Sequence, residues 1–174
     1  MSIDGRAMQQ HWRWSKGYES VGRIERRDRV YQGLIMAGGT LERSVFHTCS
    51  FDRVTLSGGS LGGAELTDCS WSNGVMELTS FEGATLTGCR FTATRLLRAH
   101  FFDATVQDCA FRDLTLARSQ WKGAVALRCV FERVCLDLAF LQGARFEHCT
   151  FVDCTFADAR LEDVSFDACI GQPT

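Results

Sequence analysis

The stretch Cys49–Trp71, CSFDRVTLSGGSLGGAELTDCSW, carries the pattern that decides the fold. Its large apolar residues, Phe51, Leu56, Leu61, Leu66 and Trp71, stand five apart. Two residues before each stands a smaller side chain: Cys49, Val54, Gly59, Ala64 and Cys69. Polar residues and glycine fill the other three places. A period of five is neither the 3.6 of an α-helix nor the 2 of a flat strand. Two inward residues in every five describe a chain that bends at regular intervals around an axis.

Outward from this stretch the frame runs unbroken from Tyr31 to Phe166. All 28 large positions, here called centres, are apolar, and only Ala126 is small. The preceding small position, from Leu34 to Cys169, holds Gly, Ala, Ser, Thr or Cys in 23 of 28 cases. The exceptions are Leu34, Val54, Leu114, Val134 and Val164. Neither position carries a charge, so both are expected to be buried from Leu34 to Cys169.

The cysteines set the number of sides. Cys49, Cys69, Cys89, Cys109, Cys129, Cys149 and Cys169 are spaced by twenty. The centres that follow the first six, Phe51, Trp71, Phe91, Phe111, Phe131 and Phe151, are all aromatic. Four five-residue sides therefore make one coil, and successive coils stack cysteine on cysteine and ring on ring. About seven coils give a length on the order of 30 Å.

Centres with their small partners, as in Ala64-Glu65-Leu66, Ala84-Thr85-Leu86 and Cys149-Thr150-Phe151, resemble the pentapeptide-repeat family. The resemblance covers about residues 31–170. It implies an all-β fold, a right-handed quadrilateral β-helix solenoid. Residues 1–30 are then a cap or arm, 31–170 the β-helix and 171–174 a C-terminal tail.

The composition, 45% hydrophobic and 23% charged, is that of a soluble globular protein. A net charge of −2 signals neither direct nucleic-acid binding nor attraction to an anionic membrane. Residues 1–33 hold seven basic and four acidic side chains, and 145–174 hold two and six. The start, MSIDGRAMQQHWRWSKG, lacks an apolar h-region, and no run approaches the ~18 residues of a membrane span. An odd count of nine cysteines without a leader reads as reduced thiols in a cytoplasm.

No constellation of catalytic or metal-binding residues stands out. A zinc site needs four converging ligands, whereas these thiols run along an axis. They are read as small packing groups beside aromatic rings. Cys154 also takes an inward position. Cys135 stands one before its centre and is expected to face out as the reactive thiol. His47, His100 and His148 fall on outward positions of different sides or distant coils. The run Gly58-Gly59-Ser60-Leu61-Gly62-Gly63 lacks the Lys-Ser/Thr of a phosphate loop. Gly58, Gly63, Gly83, Gly88, Gly123 and Gly143 sit two after a centre, where a corner requires φ > 0. No cofactor or metal is expected, and the chain reads as a non-catalytic binding surface.

Two regions are candidates for a protein partner. Around the side with centres Phe101, Trp121 and Leu141, the outward residues include His100, Gln120, Phe140, Phe102, Lys122 and Gln142. The adjoining corner carries Leu78, Arg98, Arg118 and Leu138, with Leu97 nearby. Exposed apolar groups rimmed by arginine mark an interface, either with a partner or with an N-terminal arm. The second candidate is the N-terminal segment, with Trp12, Trp14, Arg26 and Arg27 in the arm. A bare last coil leaves self-association through the solenoid ends open.

The resemblance implies an interaction or scaffold protein, a bacterial accessory or secretion-associated factor. It also leaves open a DNA-mimicking modulator of a DNA topoisomerase such as gyrase, and a translocated bacterial effector. Mimicry needs a continuous acidic surface. The acids Asp103, Asp108 and Asp113, and Asp153, Asp158 and Asp163, are interrupted along the axis by Arg43, Arg53, Arg128 and Arg133.

Overall fold

Every position two residues after a centre, from Asp28 to Ala168, has a positive φ between 48° and 72°. This left-handed residue turns the chain through each corner. Glycine occupies eight of these corners, and Asp or Asn nine, the residues that enter this region at least cost. The remaining corners hold Arg, Leu, Thr, His or Ala. The computed structural model describes residues 23–173.

Between the corners lie short parallel strands. In chain order they are β1 (Glu25–Arg27), β2 (Val30–Gln32), β3 (Val45–His47), β4 (Ser50–Asp52), β5 (Glu65–Thr67), β6 (Ser70–Ser72), β7 (Thr85–Thr87) and β8 (Arg90–Thr92). They continue as β9 (Thr105–Gln107), β10 (Ala110–Thr115), β11 (Val125–Leu127), β12 (Val130–Cys135), β13 (Arg145–Glu147), β14 (Thr150–Val152) and β15 (Ser165–Asp167). Odd-numbered strands form an eight-stranded sheet and even-numbered strands a seven-stranded one. Every pairing is parallel and joins residues twenty apart, as in Phe91↔Phe111 and Phe111↔Phe131. The other two sides carry mostly single parallel bridges, such as Ser80↔His100 and Thr115↔Arg95, while β10 and β12 run past the Asp113 and Arg133 corners to pair Leu114↔Val134 and Thr115↔Cys135 on side 2. Their corners are closed by local hydrogen bonds, such as Ala84 N–H to Phe81 C=O at 3.0 Å. That closure, with φ > 0 at the third residue, is the turn geometry that favours glycine.

The sides are numbered here by their centres. Side 1 holds Tyr31 through Phe151, side 2 Met36 through Phe156, side 3 Leu41 through Leu161 and side 4 Phe46 through Phe166. Rings stack along side 1 at 4.3–5.2 Å, from Tyr31–Phe51 to Phe131–Phe151. On side 3, Trp121 stacks on Phe101 at 4.2 Å, and its indole N–H donates to Ser119 Oγ at 2.9 Å. That bond satisfies the one polar atom of a fully buried ring. Small positions are small for a measurable reason: a Cβ on Gly59 would lie 2.7 Å from the Gly39 carbonyl oxygen.

The ladder thiols also bond across coils. Cys69, Cys89, Cys109, Cys129 and Cys149 each donate Sγ–H to the carbonyl of a centre 23 residues earlier, at 3.3–3.5 Å. Thr79 does the same with its hydroxyl, to Leu56 at 2.9 Å. Cysteine thus combines the volume of a small apolar group with a weak donor. Hydrogen bonding to the next thiol and burial push the Cys49 thiol well above its ordinary range. All nine cysteines are free thiols. Among the described residues no helix is long and apolar enough to cross a membrane.

Three expectations need correction. Burial does not extend to Cys169: Cys154, Phe156, Ala159, Leu161, Val164, Phe166 and Cys169 are only half-buried. Burial of a centre needs a coil on each side, and among the described residues none follows this one. The coil geometry also begins before Tyr31. Strand β1 pairs with β3, and Arg26 stands opposite Phe46 in the register of a centre. Residues 24–30 therefore belong to the first described coil and not to a separate cap or arm. Third, the outward position at Val45 is buried, 3% exposed, between Glu25 and Glu65 of the flanking coils. The Arg23–Glu65 ion pair, 3.6 Å, reaches across the same face.

Candidate functional site

The corner between sides 2 and 3 is built from Gly38, Gly58, Leu78, Arg98, Arg118, Leu138 and Asp158, one per coil. The four middle residues have φ of 56–58°. Leucine and arginine in this region cost roughly 1–2 kcal/mol each relative to an ordinary backbone. Long side chains are therefore held here against local preference. Leu78 is 50% exposed and Leu138 39%.

The rest of the edge follows from the strand frame. His100, Gln120 and Phe140 precede the side 3 centres by one, so they point outward beside this corner. Phe140 is 40% exposed, with the Arg160 guanidinium 5.5 Å from its ring centroid. Arg118, Leu138, Phe140, Asp158 and Arg160 line a shallow depression of about 420 Å³. Phe102 and Lys122 follow their centres by one and lie on the opposite margin of side 3. They line a second depression of about 570 Å³ with Asp103, Gly123, Gln142 and Asp163. The expected patch is thus two strips along one face, with Phe102 half-buried beside His100, ring centroids 5.7 Å apart. Leu97 lies on the side 2 margin of the corner and is half-buried.

Charge pairing varies along the solenoid, and Arg43, Arg90 and Arg145 on other edges also lack a carboxylate at ion-pairing distance among the described residues. Arg128 makes a two-point contact with Asp108 at 2.7 and 2.8 Å, one coil apart. Arg133 grips Asp113 in the same way, and Arg112 pairs with Glu132 at 3.1 Å. Hydrogen bonds from Arg128, and then Gln107, pull the Asp108 carboxyl down to about 2. Asp52 is likewise lowered, by hydrogen bonds from Asn73 and Ser72. Among the described residues Arg98, Arg118, Lys122 and Arg160 have no carboxylate at ion-pairing distance. Of the six corner arginines, Arg53, Arg128 and Arg133 are paired. Arg98 and Arg118 are unpaired and adjacent, while Arg43, also unpaired, stands alone in a glycine-rich column.

The remaining sequence candidates fall as follows. Cys135 is half-exposed on side 2 between Thr115 and Thr155. Arg26 and Arg27 lie on β1, and Trp12 and Trp14 lie outside the described residues. Among the described residues no three His, Cys, Asp or Glu side chains are grouped to hold a metal. The signal for the corner strip was present in the sequence. It is a column of four long side chains at a position otherwise rich in Gly and Asp.

Comparison with known proteins agrees with the repeat. No curated protein sequence matches the chain. Among solved structures, full-length QnrB1, a plasmid-mediated fluoroquinolone resistance protein, is 16% identical over 80% of this chain and 83% of its own, with a TM-score of 0.29. HetL, a pentapeptide repeat protein involved in heterocyst differentiation regulation in the cyanobacterium Nostoc, is 15% identical over 97% and 98%, with a TM-score of 0.29. A pentapeptide repeat protein of the cyanobacterium Cyanothece is 12% identical over 84% and 90%, with a TM-score of 0.35. A family model for a pentapeptide repeat region matches residues 44–121 and 64–141, and one for nine pentapeptide repeats matches 126–170. With the matched repeats spanning most of the coils, the chain belongs to the pentapeptide repeat family.

Proposed function

We propose that the chain is a non-catalytic protein-binding solenoid whose partner docks on the edge from Leu78 to Phe140. One observation carries the reading. Exposed Leu78, Leu138 and Phe140 share this edge with Arg98, Arg118 and Arg160, none of which has a carboxylate at ion-pairing distance among the described residues. Apolar groups with arginine at the rim have the composition of a protein interface. The shallow depressions along the solenoid favour contact with a macromolecule over a small substrate.

The topoisomerase-mimic reading draws less support. Asp108 and Asp113 face arginines, and the corner aspartates occupy a backbone region that selects them conformationally. Two variants separate the readings: Leu138→Gly with Phe140→Ser, and Asp153→Asn with Asp158→Asn and Asp163→Asn. Both are expected to keep the fold by circular dichroism. The first is expected to lose proteins that the native chain captures, and the second to retain them. Loss of an effect on gyrase supercoiling in the acidic variant alone replaces the binding-edge reading with mimicry.

A further inference from the structure

The corner strip has a spacing that selects the shape of its partner. Leu78, Arg98, Arg118 and Leu138 follow one another by one coil each. Parallel coils lie ~4.8 Å apart, which places the four residues at ~0, ~4.8, ~9.6 and ~14.4 Å along the axis. In an α-helix, residues i, i+3, i+7 and i+10 rise by ~0, ~4.5, ~10.5 and ~15 Å. At ~100° per residue they fall within an arc of ~80°. An extended strand, with ~6.7 Å between residues of one face, does not match.

Resting on the binding edge proposed above, we infer that the corner strip docks an acidic amphipathic α-helix laid along the solenoid axis. The helix carries apolar residues at i and i+10, which meet Leu78 and Leu138. Its carboxylates at i+3 and i+7 meet Arg98 and Arg118. Charge decides the occupant: both arginines lack a carboxylate partner among the described residues. A second copy packed antiparallel about a two-fold axis sets arginine against arginine, which disfavours self-pairing on this strip. Backbone strain points the same way. Four successive corners of this column keep a left-handed conformation that glycine would hold at no steric cost, and no ion pair among the described residues offsets it for the arginines. Leu-Arg-Arg-Leu reads the same in both directions, as does the spacing 0, 3, 7, 10, so either helix polarity fits.

The probe is an alanine-rich peptide of about 20 residues, long enough to hold helix, with Leu, Glu, Glu and Leu at i, i+3, i+7 and i+10. A control of the same composition places both glutamates on the opposite face. Binding to the full chain is measured by fluorescence anisotropy at low and high salt. The designed peptide is expected to bind about tenfold more tightly than the control, and less tightly as salt rises. Arg98→Gly with Arg118→Gly is expected to remove that difference while the melting temperature holds or rises, because glycine suits φ > 0. Equal binding of the two peptides, or a difference that survives the arginine variant, overturns the helix. Loss of native partners in Leu138→Gly with Phe140→Ser while neither peptide binds keeps the edge and removes the helix.

Discussion

Trp121 and Phe166 are both aromatic centres, but among the described residues a coil follows only the first. Trp121 is fully buried, with Phe101 stacked on it at 4.2 Å and Phe111, Phe131 and Phe146 around it at 6.0–6.4 Å. Phe166 stacks on Phe146 at 5.2 Å, meets Phe151 edge-on at 5.9 Å, and is half-buried. The two residues obey the same pattern of five. What differs is whether another coil lies above. In a solenoid, stability belongs to contacts between neighbours, so one residue type differs in worth with its place along the axis.

The sharpest way to break this comparison is a buried charge. Trp121→Asp is expected to cost more than about 4 kcal/mol, since it leaves a cavity and strands a carboxylate. Phe166→Asp is expected to cost less than half of that, because its carboxylate reaches water. Gln120→Asp, on the half-exposed outward position beside Trp121, stays within about 0.5 kcal/mol. Denaturant midpoints of the three variants check the order, and equal loss at the first two positions breaks it.

A milder pair sharpens the same point. Phe131 lies between Phe111 at 5.0 Å and Phe151 at 4.9 Å. Phe131→Ala is expected to cost about 3–5 kcal/mol. Phe166→Ala, stacked on one side only, is expected to cost about 1–2 kcal/mol, in proportion to the smaller area it buries. Thermal melts followed by near-ultraviolet circular dichroism measure both.

The smallest effect is electrostatic and belongs to the interior coils. Asp108 has its carboxyl held down at about 2 by Arg128, twenty residues on. A depressed folded value means that its contribution to stability is present above the unfolded value of ~3.9 and fades as pH falls through about 2. The pair is exposed, so the contribution is small and weakens with salt. Arg128→Gln is expected to return the Asp108 titration, followed by carboxyl NMR, toward the ordinary range.

Most of the architecture was legible because two inward positions in every five are chemically distinct from the other three. The four-sided coil followed from cysteines twenty apart, and Gly58 through Gly143 marked corners correctly. Other features were hidden for identifiable reasons. Arg26 carries a charge at a centre, so the apolar frame gave no sign that β1 already pairs with β3. Half-burial at Phe156 and Leu161 depends on whether a described coil stacks above them, not on the residues. Leu78, Arg98, Arg118 and Leu138 have no preference for φ > 0, so it was the frame of five, and not their own chemistry, that placed them at a corner. Arg128 with Asp108 and Arg133 with Asp113 could have been paired from the period of twenty alone, since both are separated by one coil. Residue roles on the edge are less legible than the core, because exposure, pairing and strain meet there only in three dimensions.

The thiol ladder also provides a clock. One buried sulfhydryl per coil, each bonded to a carbonyl of the coil before, makes alkylation a record of which coils have come apart. A solenoid that frays inward from its last coil exposes Cys169 first, then Cys149, then Cys129, while Cys89 and Cys109 wait for the centre to open. Pulse labelling read by mass spectrometry therefore distinguishes unzipping from one end from collapse of all coils at once, with no engineered probe.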